Sequence, residues 1–99
     1  MDELDPLIHV PSRLRIMTTL DELLDDGDRL TFPRLRELLG MTAGNLTTHL
    51  GRLEQAGYVV IEKGFSGRKP VTRIGLTLAG RLAFHTYREA LLKLIGGAS

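Results

Sequence analysis

Leu38-Leu39-Gly40-Met41-Thr42-Ala43-Gly44-Asn45-Leu46-Thr47-Thr48-His49-Leu50-Gly51-Arg52-Leu53-Glu54-Gln55-Ala56-Gly57-Tyr58-Val59 holds a helix end, a helix start, a second helix end and the opening of a strand. Gly40 follows two leucines and takes the left-handed conformation of a helix end without steric cost. Thr42 stands where a hydroxyl can accept an orphan backbone N–H, so a new helix opens at Ala43. Leu46, Leu50 and Leu53 recur at spacings of four and three and turn one stripe inward as far as about Ala56, where Gly57 closes the helix.

Upstream, Pro33–Leu39 reads as a short helix lined by Leu35, Leu38 and Leu39, preceded by a very short strand at Leu30-Thr31-Phe32. Asp25-Asp26-Gly27-Asp28 is a turn. It ends a first helix that starts near Pro11-Ser12 and runs to about Leu24, with Leu14, Met17, Leu20, Leu23 and Leu24 as its apolar face. A shorter helical piece is expected around Glu3–Ile8. Downstream, Tyr58–Lys63 is a β-branched strand, Gly64–Pro70 a turn, and Val71–Leu76 the returning strand of a hairpin. Thr77 caps a last helix from Leu78 to about Ile95, and Gly96–Ser99 is a frayed tail. The order is helix, short strand, helix, helix, strand, strand, helix. This is a mostly helical α+β fold, a winged helix-turn-helix with a three-helix core, a β-hairpin wing and a C-terminal helix. One domain spans 1–99, with the helix-turn-helix over about 33–56, the wing over about 58–76 and the last helix over about 78–95.

The 99 residues, 42% apolar and 25% charged, suit one globular domain with a core of its own and leave no room for a catalytic domain beside a regulatory one. No run is long enough to span a bilayer, and Asp2, Glu3, Asp5, His9, Pro11 and Arg13 break up any leader-like stretch, so secretion is not expected. With no cysteine, disulfides, thiolate metal sites and cysteine nucleophiles are excluded, and a cytoplasmic location is expected. The net charge of +1 conceals an asymmetry. Residues 1–40 carry nine acidic and five basic side chains, a balance of −4, while residues 41–99 carry three and eight, a balance of +5. The C-terminal part therefore suits an anionic partner.

A duplex major groove admits one α-helix, whose outer side must offer short polar side chains to base edges and phosphates. With its leucines inward, the third helix presents Gly44, Asn45, Thr47, Thr48, Gly51, Arg52 and Gln55, and Thr42 and Ala43 stand at its start. Asn45 can read adenine bidentately, Arg52 can bind phosphate or guanine, and Thr47 and Thr48 can reach phosphates or a thymine methyl. Gly44 and Gly51 are poor helix formers whose missing side chains permit close approach to DNA. Glu54 alone interrupts this face. In the wing, Arg68 and Lys69 put positive charge at a tip suited to the minor groove, Lys63 and Arg73 flank them toward phosphates, and Phe65 is expected to pack at the wing base. Double-stranded DNA is thus the expected partner, and Thr42, Ala43, Gly44, Asn45, Thr47, Thr48, His49, Arg52, Lys63, Arg68, Lys69 and Arg73 the expected contacts.

The quoted stretch resembles the turn and recognition helix of small bacterial and archaeal winged-helix regulators related to the MarR and ArsR families. Leu4-Asp5-Pro6-Leu7-Ile8-His9, Arg13-Leu14-Arg15-Ile16-Met17 and the wing Glu62–Pro70 resemble the same group, so the likeness covers nearly the whole chain. It implies transcription regulation at an operator and dimerisation through terminal helices. Thr47-Thr48-His49-Leu50 matches a Ser/Thr-x-His-Leu pattern of the group, in which His49 either packs half-buried against backbone or touches phosphate.

The last helix carries more apolar surface than one stripe needs, in Leu78, Leu82, Phe84, Tyr87, Leu91, Leu92, Leu94 and Ile95. Such excess marks an interface. A homodimer is expected through Leu4, Leu7, Ile8, Phe84, Tyr87, Leu91, Leu94 and Ile95, on a palindromic operator. Some ArsR-like proteins hold metal on terminal helices, and His85 and Glu89 are four apart, but Arg81 and Arg88 share their face and disfavour a cation. No metal site and no cofactor are expected, and no arrangement of nucleophile, base and acid suggests an enzyme. The alternatives are a protein-binding winged-helix adaptor and a metal- or ligand-gated repressor, and any small-molecule effector is left unknown.

Overall fold

A computed structural model describes residues 4–96. The helices are α1 (Pro11–Leu23), α2 (Phe32–Leu39), α3 (Ala43–Gln55) and α4 (Leu78–Gly96), with strands β1 (Leu30–Thr31), β2 (Val59–Ser66) and β3 (Lys69–Leu76). The strands form one antiparallel sheet in the order β1-β3-β2. The sequence order of elements is the expected one, and the fold is the winged helix.

Local chemistry sets the boundaries. Thr31 Oγ1 accepts from Arg34 N and Gly40 ends α2 at φ 65°, while Thr42 Oγ1 accepts from Asn45 N at 3.1 Å. At the start of α4, Thr77 Oγ1 accepts from Gly80 N at 2.9 Å and donates to the Gly57 carbonyl at 2.6 Å, tying the helix to the end of α3. Gly80 is a packing requirement, because a Cβ there would overlap the Tyr58 carbonyl. The core joins Ile16, Met17 and Leu20 of α1 to the Leu46, Leu50, Leu53 stripe of α3, to Ile74 and Leu76 of β3, and to Phe84 and Tyr87 of α4. Arg81 fastens α4 to the end of α1 through Asp21 (2.9 Å) and the Leu24 carbonyl (2.7 Å).

Several expectations need correction. Residues 6–8 form a turn, not a helix, because Asp5 Oδ1 caps it by accepting from Leu7 N at 2.9 Å, and Glu3 lies outside the described residues. Asp5 Oδ2 also accepts from the Tyr58 hydroxyl at 2.6 Å. That bond and the burial around it push the Tyr58 phenol up to about 12. Leu23 is exposed, and Leu24, in extended backbone past the helix end, turns inward instead. Leu38 is exposed too. The hairpin turn is only Gly67-Arg68, since β2 and β3 run on to the pair Ser66–Lys69. Gly67 has φ 65° and, among the described residues, no residue other than glycine has positive φ, so Arg68 does not, the pattern of a type II′ turn that keeps the twist of the strands. Gly96 still belongs to α4, and the expected tail at 97–99 lies outside the described residues.

Candidate nucleic-acid interface

Helix α3 buries its three leucines and leaves Ala43, Gly44, Asn45, Thr47, Thr48 and Arg52 exposed, with no acidic residue in the first turn. Thr48 donates its hydroxyl proton to the Gly44 carbonyl at 3.0 Å, which leaves its oxygen to serve any further partner only as an acceptor. A Cβ added at Gly44 or Gly51 would meet no atom within 4 Å. The protein's own packing therefore does not require glycine at either position. Arg52 sits in the last turn, where a cation also favours the helix dipole.

His49 is half-buried, and its Nδ1 is buried without a hydrogen-bond partner among the described residues. Burial, then the nearby positive charges of Arg13 and Arg52, hold its pKa below the ordinary histidine value. A ring kept neutral in this way is a poor electrostatic partner for phosphate in the free protein.

Alternation along the ladder gives the wing two faces. Val59, Ile61, Lys63 and Phe65 of β2 share a face with their partners Leu76, Ile74, Thr72 and Pro70 of β3. Midway along it, Ile61, Lys63 and Thr72 border one groove with Thr47, Gly51 and Glu54 of α3. Lys63 and the exposed side of α3 are thus brought together. Arg73 is not: it is half-buried on the opposite face, paired across the ladder with Glu62, which takes an ion pair from Arg29 at 2.8 Å. Arg68 and Lys69 are exposed at the turn. Phe65, expected at the wing base, is instead 70% exposed one ladder pair short of the turn. The uninterrupted alternation Val59, Ile61, Lys63, Phe65 was the signal for its placement.

The expected interface residues divide. Ile8, Phe84 and Tyr87 are buried in the protomer's own core and are unavailable to a partner, because α1 and the N-terminal segment cover that side of α4. The His9 ring nitrogen Nδ1 lies 2.8 Å from the Tyr87 hydroxyl and helps close this side. Leu4, Leu7 and Leu91 are half-buried against the core. Leu94 and Ile95 are exposed, as are Leu78, Leu82 and Leu92. Residues 92–96 are exposed without a break, so the last turns of α4 project from the body on every side. His85 Nε2 lies 3.0 Å from Asp21 Oδ1, which also holds Arg81, so the ring serves the α1–α4 contact, although His85 and Glu89 still border one shallow pocket. No helix among the described residues is long and apolar enough to cross a membrane.

The profile of the family described as winged helix DNA-binding domain matches residues 12–95. An uncharacterised protein of Methanocaldococcus jannaschii is 40% identical over 63 residues, 64% of this chain and 68% of that protein. A transcriptional regulator homologue from Pyrococcus horikoshii has the same fold, with a TM-score of 0.82 at 28% identity over 92% of this chain and 86% of its own. Streptococcus pneumoniae FabT, solved in complex with DNA, is similar with a TM-score of 0.55 at 27% identity over 94% of this chain and 68% of its own. By the reach of that profile, this chain belongs to the winged helix DNA-binding domain family, and it shares the fold of the Pyrococcus horikoshii transcriptional regulator homologue.

Proposed function

We propose that this DNA-binding regulator works as a cytoplasmic homodimer on a palindromic operator, catalysing no reaction. Helix α3 enters the major groove and the wing tip follows the adjacent minor groove. The observation that carries this reading is the pairing of an exposed, short-chained helix face, free of acid through its first turns, with an exposed basic hairpin beside it. Asn45, Thr47 and Thr48 meet base edges and phosphates, Arg52, Lys63, Arg68 and Lys69 neutralise backbone, and Thr42, Ala43 and Gly44 bring the helix N-terminus close to it. The dimer rests on the exposed apolar side chains Leu92, Leu94 and Ile95 at the end of α4, because a cluster of exposed large apolar residues marks an interface.

Sedimentation with and without a duplex pool of random sequence tests both parts together. The expected species are a free dimer of the 11.0 kDa chain and a dimer–duplex complex. A monomer that stays a monomer on DNA would contradict the dimer, and no complex at low salt would contradict the interface.

A further inference from the structure

Phe65 is a large apolar ring that the fold leaves uncovered, 70% exposed near the end of a hairpin. Its cross-strand partner on the same face is Pro70, so a rigid pyrrolidine braces the ring from the side. This face runs from core at Val59 and Leu76, through the groove beside α3 at Lys63 and Thr72, to the Phe65–Pro70 pair. The ring therefore points to the same side as the recognition helix. From Lys63 to Arg73 there is no acidic residue, and Arg68 and Lys69 follow the ring at the turn. The neighbouring pair, Lys63 and Thr72, is polar, so the apolar patch is one ring and one proline. That is far below the roughly 800 Å² per partner of a stable protein contact, but it is the size of a side chain that separates two stacked base pairs.

We propose that Phe65, braced by Pro70, is an apolar wedge that enters the minor groove of double-stranded DNA, opens one base step and bends the duplex. The proposal rests on the wing lying in the minor groove, as argued above. Opening a step is cheapest at pyrimidine–purine steps, so the wedge also selects sequence at a position that no hydrogen bond reads.

The test uses the full chain and a duplex enriched by the protein from a random pool, with dyes at both ends to read bending and anisotropy to read affinity. The wild type is expected to bend the duplex by about 20–90°. Phe65→Ala should leave it nearly straight and bind roughly ten- to a hundredfold more weakly, the scale of one aromatic side chain losing its burial, while Phe65→Leu keeps most of both. Melting temperatures should change little, because most of the ring is exposed in the protein. The double variant Arg68→Ala/Lys69→Ala tests the underlying placement: if it binds like the wild type, the wing is not in the groove and that reading fails, the wedge with it. If the double variant is weakened but Phe65→Ala binds and bends like the wild type, the wedge alone is overturned. A straight wild-type complex overturns it as well. So does a change of oligomeric state in Phe65→Ala with the bend intact, which would assign the ring to a protein contact.

Discussion

At the scale of single residues, two helical glycines separate packing from recognition. Gly80 sits against the Tyr58 carbonyl, and Gly80→Ala should cost about 1–3 kcal/mol through overpacking. Gly51 has open space around it, so Gly51→Ala should stabilise α3 by up to about 1 kcal/mol while weakening DNA binding, because the new methyl stands in the groove between α3 and the wing. Thermal melts and binding curves of the two variants check this; tighter binding by Gly51→Ala would show that nothing approaches there. His49 carries the pH dependence. Its folded pKa is lowered, so the unfolded chain takes up the proton first, and the ring's contribution to stability is full above about 6.5 and declines as pH falls toward the lower folded value. The wild type should lose more melting temperature between pH 8 and pH 5 than His49→Gln, and parallel curves would contradict this. The caps at Gly40 and Thr42 were legible because each depends on one residue and its immediate neighbours. The need for glycine at position 80 was not, since it comes from a carbonyl more than a helix away in sequence.

At the scale of elements, the helices were legible from leucine spacing, and the wing was legible in kind but not in length. Gly64 and Pro70 look like turn residues, yet both lie in the ladder, opposite Val71 and Phe65. Pro70 is tolerated because it is in the pair after the one flanking the turn, so its nitrogen faces away from β2, and β1 reaches only Arg73 and Ile74. The longer strand ladder places Phe65 near the tip and not at the expected base, and puts Arg73 on the far face with Glu62. Arg68→Ala/Lys69→Ala should weaken binding to specific and random duplexes alike, while Asn45→Ala should cost about 1–3 kcal/mol on the preferred sequence and little on random DNA. Equal losses for Asn45→Ala on both would remove it from base reading.

For the whole molecule, one core gathers residues of all four helices and of β2 and β3, as the order of elements led one to expect, whereas the surface offered to a partner is not read from that order. Periodicity identifies an apolar face without saying what covers it. Phe84 and Tyr87 are covered by the protomer itself, and Leu92, Leu94 and Ile95 are not. Leu94→Glu/Ile95→Glu should therefore convert a dimer into monomers with little change in the protomer's fold, read by sedimentation and circular dichroism. The split of charge, acidic before residue 40 and basic after it, suits the later half to an anionic partner. If each protomer neutralises about four phosphates, the logarithm of affinity should fall with the logarithm of salt concentration at a slope near −7 for the dimer. A slope near zero would contradict the electrostatic part.

In the proposed complex, a two-fold pair of α3 helices, flanked by basic wings, reads duplex DNA. Selection of bound duplexes from a random pool tests it most directly, because one experiment returns affinity, motif and symmetry. The expected result is an inverted repeat whose half-sites are centred about one helical turn apart, roughly 34 Å, with flanking positions rich in A·T under the wings. A pool that returns no enriched sequence, or a single undivided motif without inverted symmetry, would contradict it.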